Sequence, residues 1–294
     1  MHMVMTKSHE KTAHADPWKD PKAEERRRIL MQRPPSFVAD IAYSFQLHAM
    51  WRALAWQDLI QRYRRSTLGI AWILFSYLLL IAVFVLVFGR SSAGRTPLEY
   101  SLYLAAGLLV WNYFAAIVTK GVAIFSGNAG WIRSTPAPFA VLAFRNVYAN
   151  LLEAVVCVPV VIVFAAIVGV PISPNLLWIF LAIFLLLVNG ISAGLLFGSI
   201  GAWSNDFAQL IPAIMRIAFF ATPVFWDYET AAGSRLIMAI FNPMSHLIEI
   251  ARAPILGGAP TPLNCIVALS FTIIMAVLAL IAFKYARPRL AAWV

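Results

Sequence analysis

The residues able to do chemistry in this chain are few. Ser245-His246 could suggest a nucleophile and base, but no acid stands at a spacing that would orient the imidazole, and a neighbouring pair alone is a weak hydrolase signal. Cys157 and Cys265 each lie in an apolar run, where a thiol behaves as a small hydrophobe, and neither has the spacing of a metal pair. His2, His9 and His14 are scattered through a polar N-terminal stretch and read as solvated side chains. Of six lysines only Lys120 and Lys284 lie beyond residue 22, and neither ends a glycine-rich phosphate loop, so this chain has no such route to ATP hydrolysis. No cofactor or metal is expected on it.

Two charges interrupt apolar segments. Glu153 and Arg216 fall about eight and nine residues into their segments, a depth of about 12–14 Å at 1.5 Å per residue. Ionised groups at such depth face protein or water and seek partners. A Glu153–Arg216 pair locking two helices is the simplest expectation, and a polar lining for an anionic substrate is the alternative. Asn146 and Asn150 share the helical face of Glu153, which fits either. Aromatic residues make up 13% of the chain, with Trp111, Tyr113 and Phe114 in one group and Phe219, Phe220, Phe225 and Trp226 in another. They suit core packing and an interfacial belt, or the wall of a path along which sugar C–H faces slide.

The elements that must position these groups are membrane helices. Of 294 residues, 61% are apolar and 12% charged, with a mean hydropathy of +0.78, which is far from a water-soluble balance. Six stretches are apolar over about 20 residues: 68–88, 100–118, 146–170 (entered by a helix starting near Pro138), 176–200, 207–225 and 264–285. Eighteen Lys/Arg fall on the side holding both ends of the chain and four on the other, so both termini are expected in the cytoplasm. The net charge of +10 is therefore assigned to membrane topology and not to nucleic acid.

The expected organisation is a disordered cytoplasmic tail (1–35), an amphipathic interface helix (36–66), a six-span domain (67–287) and a short cytoplasmic C-terminus (288–294). The interface helix could lie along the headgroups, with Trp51 and Trp56 at their level, or dock on a partner. Between the last two spans, 232–241 and 243–256 read as two half-helices dipping into the outer leaflet, with Asn242 capping the second and Pro243 in its first turn. The fold class is all-α integral membrane protein.

The stretch from Asp58 through Arg62, Tyr63, Arg64 and Arg65 to Leu68, Gly69 and Trp72 resembles the entrance segment of ABC-type polysaccharide exporter permeases, the membrane subunits for O-antigen, capsule and teichoic-acid export. The resemblance continues in Gly107, Trp111, Asn112, Phe114, Gly121, Asn128 and Pro138. It returns in Asp206, Phe219-Phe220, Pro223-Val224, Asn242-Pro243, Arg252 and Leu256-Gly257, covering about residues 37–287. Tyr77 departs from it, standing where relatives often carry proline.

The resemblance implies a homodimeric permease in a bacterial cytoplasmic membrane, paired with two copies of a separate ATPase that binds ATP and magnesium. It implies that Asn128, Trp131, Ile132, Arg133 and Pro138 form the coupling loop that receives the ATPase stroke. Arg62, Tyr63, Arg64 and Arg65 stand where a lipid-linked pyrophosphate would be guided in, although positive-inside anchoring explains them equally. Trp111, Tyr113, Phe114, Glu153, Arg216, Phe219 and Phe220 would line the channel, and Asn242, Pro243 and Arg252 would sit at its outer gate. A drug or small-lipid exporter of the same architecture is the nearest alternative. A membrane enzyme acting on lipid-linked sugars is the alternative from another class, and it would need acidic or histidine clusters that the sequence lacks.

Overall fold

The computed structural model describes residues 33–64, 66–89, 94–227 and 232–294. The expected tail as far as residue 32, Arg65 and Arg90 lie outside the described residues. Every regular element among the described residues is helical.

The interface segment folds as two helices, α1 (Phe37–Gln46) and α2 (His48–Tyr63), and not as one. The break is at Leu47, whose side chain is buried against Val141, Tyr43, Met50 and Trp51. Docking that leucine against the body outweighs the continuity of a single helix. Ser36 caps α1 by accepting from the Ala39 N–H.

Among the described residues five helices are long and apolar enough to cross a membrane: α3 (Ala71–Phe88), α4 (Pro97–Gly121), then, after a short α5 (Ala129–Ser134), α6 (Val141–Val168), the run 174–203 containing α7 (Trp178–Trp203), and α11 (Pro262–Ala286). The expected span over 207–225 folds as α8 (Asp206–Ala221), 16 residues with Pro212 inside it, followed by a turn over 222–227. At 1.5 Å per residue that is about 24 Å, short of ~30 Å of hydrocarbon. The stretches expected as half-helices fold as two short helices, α9 (Ser234–Phe241) and α10 (Pro243–Ile255), and α12 (Leu290–Trp293) is the last element.

Helix α4 is the central post. In its most apolar stretch 72% of residues are buried, against 11% in α3. It begins with a capping box between Thr96 and Glu99 and Pro97 at its first position. It packs against α3, α6, α7, α8 and α10. Close approach of α7 to α4, to the segment just after α4 and to α6 depends on glycines one turn apart. A Cβ on Gly190 would stand 3.1 Å from Ile117, on Gly194 3.2 Å from Ala143, on Gly198 2.7 Å from Ile124, and on Gly201 1.9 Å from the Val122 carbonyl. Such small-residue stripes let membrane helices bring backbones together where no hydrophobic force favours one apolar partner over lipid.

Candidate functional site: a cavity between α3, α4, α6 and α8

A cavity of about 870 Å³ opens between these four helices. One end is polar and is lined by Tyr63, Lys120, Asn150 and Glu153; the walls include Trp111, Tyr113, Phe84, Phe219 and Phe220. Trp111 lies nine residues from Lys120 along α4, about 13 Å, so the polar and aromatic portions lie along one helix.

The polar end is tied across three helices. Arg62 on α2 donates to Glu153 Oε1. Lys120 Nζ donates to Glu153 Oε1 at 3.1 Å and Oε2 at 3.3 Å, and to Asn150 Oδ1 at 2.7 Å. Asn150 Nδ2 donates to Asn146 Oδ1 at 3.0 Å, and Asn146 Nδ2 to the Ile117 carbonyl at 3.0 Å. Asn146, Asn150 and Glu153 thus form one face, as their spacing predicts. Burial pushes the Tyr63 phenol above its ordinary range, and the Glu153 carboxylate adds to that shift.

The expected Glu153–Arg216 pair does not form. Glu153 lies opposite Lys120, one residue from the end of α4, at the mouth of the cavity. The reason is that Arg62 and Lys120 already occupy the carboxylate, Arg62 from α2, which packs along α6. Arg216 lines the same cavity from α8 and makes no ion pair among the described residues.

The aromatic wall gathers residues far apart in sequence. Trp111 and Phe219 lie 5.8 Å apart, Phe219 and Phe220 5.4 Å, Phe84 and Phe219 5.9 Å, and Phe84 and Phe225 5.2 Å between ring centroids. Phe114 is not among the cavity residues; it is buried on another face of α4 in the helical core. Tyr77 lines the cavity, and its buried hydroxyl donates to the Ala105 carbonyl, tying α3 to α4.

The expected coupling segment lies at the end of the molecule that also holds α1 and α12. Ile132 and Pro138 are buried, Trp131 is half-buried, and Arg133 and Gly130 are exposed. Asn128 Nδ2 donates to the Ile124 carbonyl at 2.8 Å, while its Oδ1 accepts from Arg145, whose guanidinium grips Asp58 at 2.5 and 2.6 Å. Arg133 donates to the Val294 carbonyl oxygen. Nearby, Asp40 is buried, accepting from the Ala140 N–H at 2.9 Å and from Arg287 at 2.9 Å. Burial pushes its carboxyl up from the ordinary value, although both partners pull the other way.

At the far end Arg252 is fully buried. It donates to Glu249 and to the Pro223 carbonyl (2.9 Å), and its guanidinium lies 3.8 Å above the Tyr103 ring. Asn242 caps α10 through the Met244 N–H at 3.0 Å, and its amide donates to Thr222 Oγ1 at 2.7 Å, joining α10 to the 222–227 turn. His246 is buried between Asn264 Oδ1 (2.8 Å) and the Ile240 carbonyl (2.9 Å), a packing link and not a catalytic base. Arg62, Tyr63 and Arg64 follow one another at the end of α2, but only Tyr63 lines the cavity.

Sequence reasoning missed Lys120 as a partner of Glu153, the Asp58–Arg145 and Asp40–Arg287 pairs, Tyr103 beneath Arg252, and the glycine stripe. Only the last carried a readable signal, glycines at positions 190, 194 and 198.

A sequence model of the family described as ABC-2 type transporter matches residues 50–256, from α2 to the end of α10. The chain belongs to the ABC-2 type transporter family. As an ABC-2 chain it is a multi-pass membrane protein of an ABC transport system. It is similar to proteins named O-antigen export system permease protein RfbA. One from Klebsiella pneumoniae is 25% identical over 206 residues, covering 69% of this chain and 78% of that protein. A second from the same organism is 26% identical over 207 residues, with the same coverage. One from Myxococcus xanthus is 24% identical over 211 residues, covering 71% and 81%. The ABC-2 match takes in the cavity, its charged mouth and the short helices α9 and α10 together.

Proposed function

We propose that this chain is the permease subunit of an exporter that carries a lipid-linked polysaccharide across the bacterial cytoplasmic membrane. It works as a homodimer with two copies of a separate ATPase, and both termini face the cytoplasm. The observation that carries this reading is the shape and chemistry of one cavity: cations at the mouth, where a phosphate-linked lipid would present its charge, and an aromatic wall beyond, suited to a sugar chain that slides without being held. The names of the relatives point to the same cargo. In this reading α8 and the 222–227 turn complete a sixth crossing, α9 and α10 dip into the outer leaflet as the gate beside Asn242, Pro243 and Arg252, and α5 with Arg133 meets the ATPase.

The test is deletion of the gene in its native host, with complementation by the wild type and by Trp111→Ala. The deletion is expected to leave polysaccharide inside the cell, with wild-type chain restoring surface polymer and Trp111→Ala restoring it only in part. Unchanged surface polysaccharide in the deletion strain would remove the reading. For the coupling assignment, Arg133→Glu is expected to reduce copurification of the ATPase along with export, and full retention of both would place the contact elsewhere.

A further inference from the structure

One carboxylate at the cavity mouth is shared by two cations, and a third lines the same cavity. Glu153 accepts from both Arg62 and Lys120, while Arg216 has no ion pair among the described residues. The neighbouring Asp58 is matched by Arg145 and adds nothing to the balance. The mouth therefore carries one positive charge more than its carboxylate offsets, and Arg216 adds a second within the cavity. The Arg62 and Lys120 side chains are part-exposed, at 42% and 35%. Immediately beyond them the walls turn apolar and aromatic. A surplus of cations at the edge of an apolar cavity selects for an anion joined to an apolar body.

We infer that Glu153 is the resident occupant of an anion site, and that the phosphate of an amphiphile entering the cavity displaces it from Arg62 and Lys120. The inference rests on the exporter reading only for the class of ligand. A pyrophosphate brings more charge and more acceptor oxygens than a carboxylate, so it satisfies guanidinium and ammonium together where Glu153 must divide two oxygens between them. Displacement also has a mechanical result. The Arg62–Glu153 contact joins α2 to α6 beside the Asp58–Arg145 pair, and its loss removes one of two ion pairs between these helices when the ligand arrives.

The experiment is native mass spectrometry of the detergent-purified full chain, titrated separately with geranylgeranyl pyrophosphate, geranylgeraniol and inorganic pyrophosphate. The pyrophosphate lipid is expected to bind about tenfold tighter than either of the others. Arg62→Gln and Lys120→Gln should each weaken it severalfold, whereas Glu153→Gln should tighten it severalfold by removing the competitor. A folding defect could only weaken binding, so the opposite sign for Glu153→Gln cannot come from damage. Equal binding of lipid and alcohol, equal binding of lipid and inorganic pyrophosphate, or weakening by Glu153→Gln would each overturn the inference. Flat affinities alongside lost surface polysaccharide in the deletion strain would remove the anion site alone. Retained surface polysaccharide with the expected affinities would remove the export reading and leave the site.

Discussion

The two ends of the molecule each hold an arginine beside a glutamate, and they use the pair in opposite ways. Arg252 is wholly buried, its donors are taken by Glu249 and the Pro223 carbonyl, and Tyr103 covers its face. Arg62 is part-exposed and shares its single carboxylate with Lys120. A charge whose partners are complete belongs to the scaffold. One whose partner is divided stays open to competition, and only the second kind can greet a ligand. Residue type does not separate the two; stoichiometry and burial do.

The sharpest way to break this contrast is Arg252→Leu. It strands Glu249 and the backbone carbonyls of the 222–227 turn, and a buried charge left without its partner costs about 3–5 kcal/mol. The expected result is loss of the monodisperse peak in fluorescence-detected size exclusion, and a variant as stable as wild type would end the scaffold assignment. Gly107→Ala attacks the same site indirectly. Its Cβ would stand 3.1 Å from Arg252 and 3.2 Å from the Val224 carbonyl. Overpacking of that order costs about 1–3 kcal/mol, readable as a lowered melting temperature in detergent.

At the other end Arg62→Gln should alter thermal stability by no more than about 1 kcal/mol, as expected for a part-exposed pair. A drop as large as that of Arg252→Leu would erase the distinction between the two ends. The smallest effect concerns pH. Burial raises the folded Asp40 carboxyl above its ordinary 3.8, so the charged form burdens the fold, and its stabilising contribution is lost as pH rises through the folded value. Asp40→Asn should flatten the dependence of melting temperature on pH in the acidic range above 3.8, and an unchanged slope would assign that dependence to other groups.

What the sequence disclosed follows the same division. Helix positions were legible because apolar length and caps are local properties. Asn242 and Pro243 begin α10 as their order predicts, and α4 and α11 extend the expected spans by only a few residues. The rotation of each helix was not legible. A helix apolar on every side has no polar stripe to mark its face, so Phe114 could not be told from Trp111, although one packs in the core and the other also meets the cavity. Ion partners were equally hidden. Arg62 and Lys120 reach Glu153 from helices 91 and 33 residues away in sequence.

The sparse burial of α3 has a consequence for the lipid around it. With 18 residues this helix is about 27 Å long, a few ångströms less than an average hydrocarbon core, whereas the 25 residues of α4 exceed it. The sparsely buried wall of the cavity is thus shorter than the hydrocarbon core that its buried wall overspans. A membrane of longer acyl chains must thin locally around α3 or draw it along its own axis, at a cost of fractions of a kcal/mol for each ångström. Acyl-chain length thus bears on the height of α3 against α4, a constraint applied by the lipid and not by any residue lining the cavity.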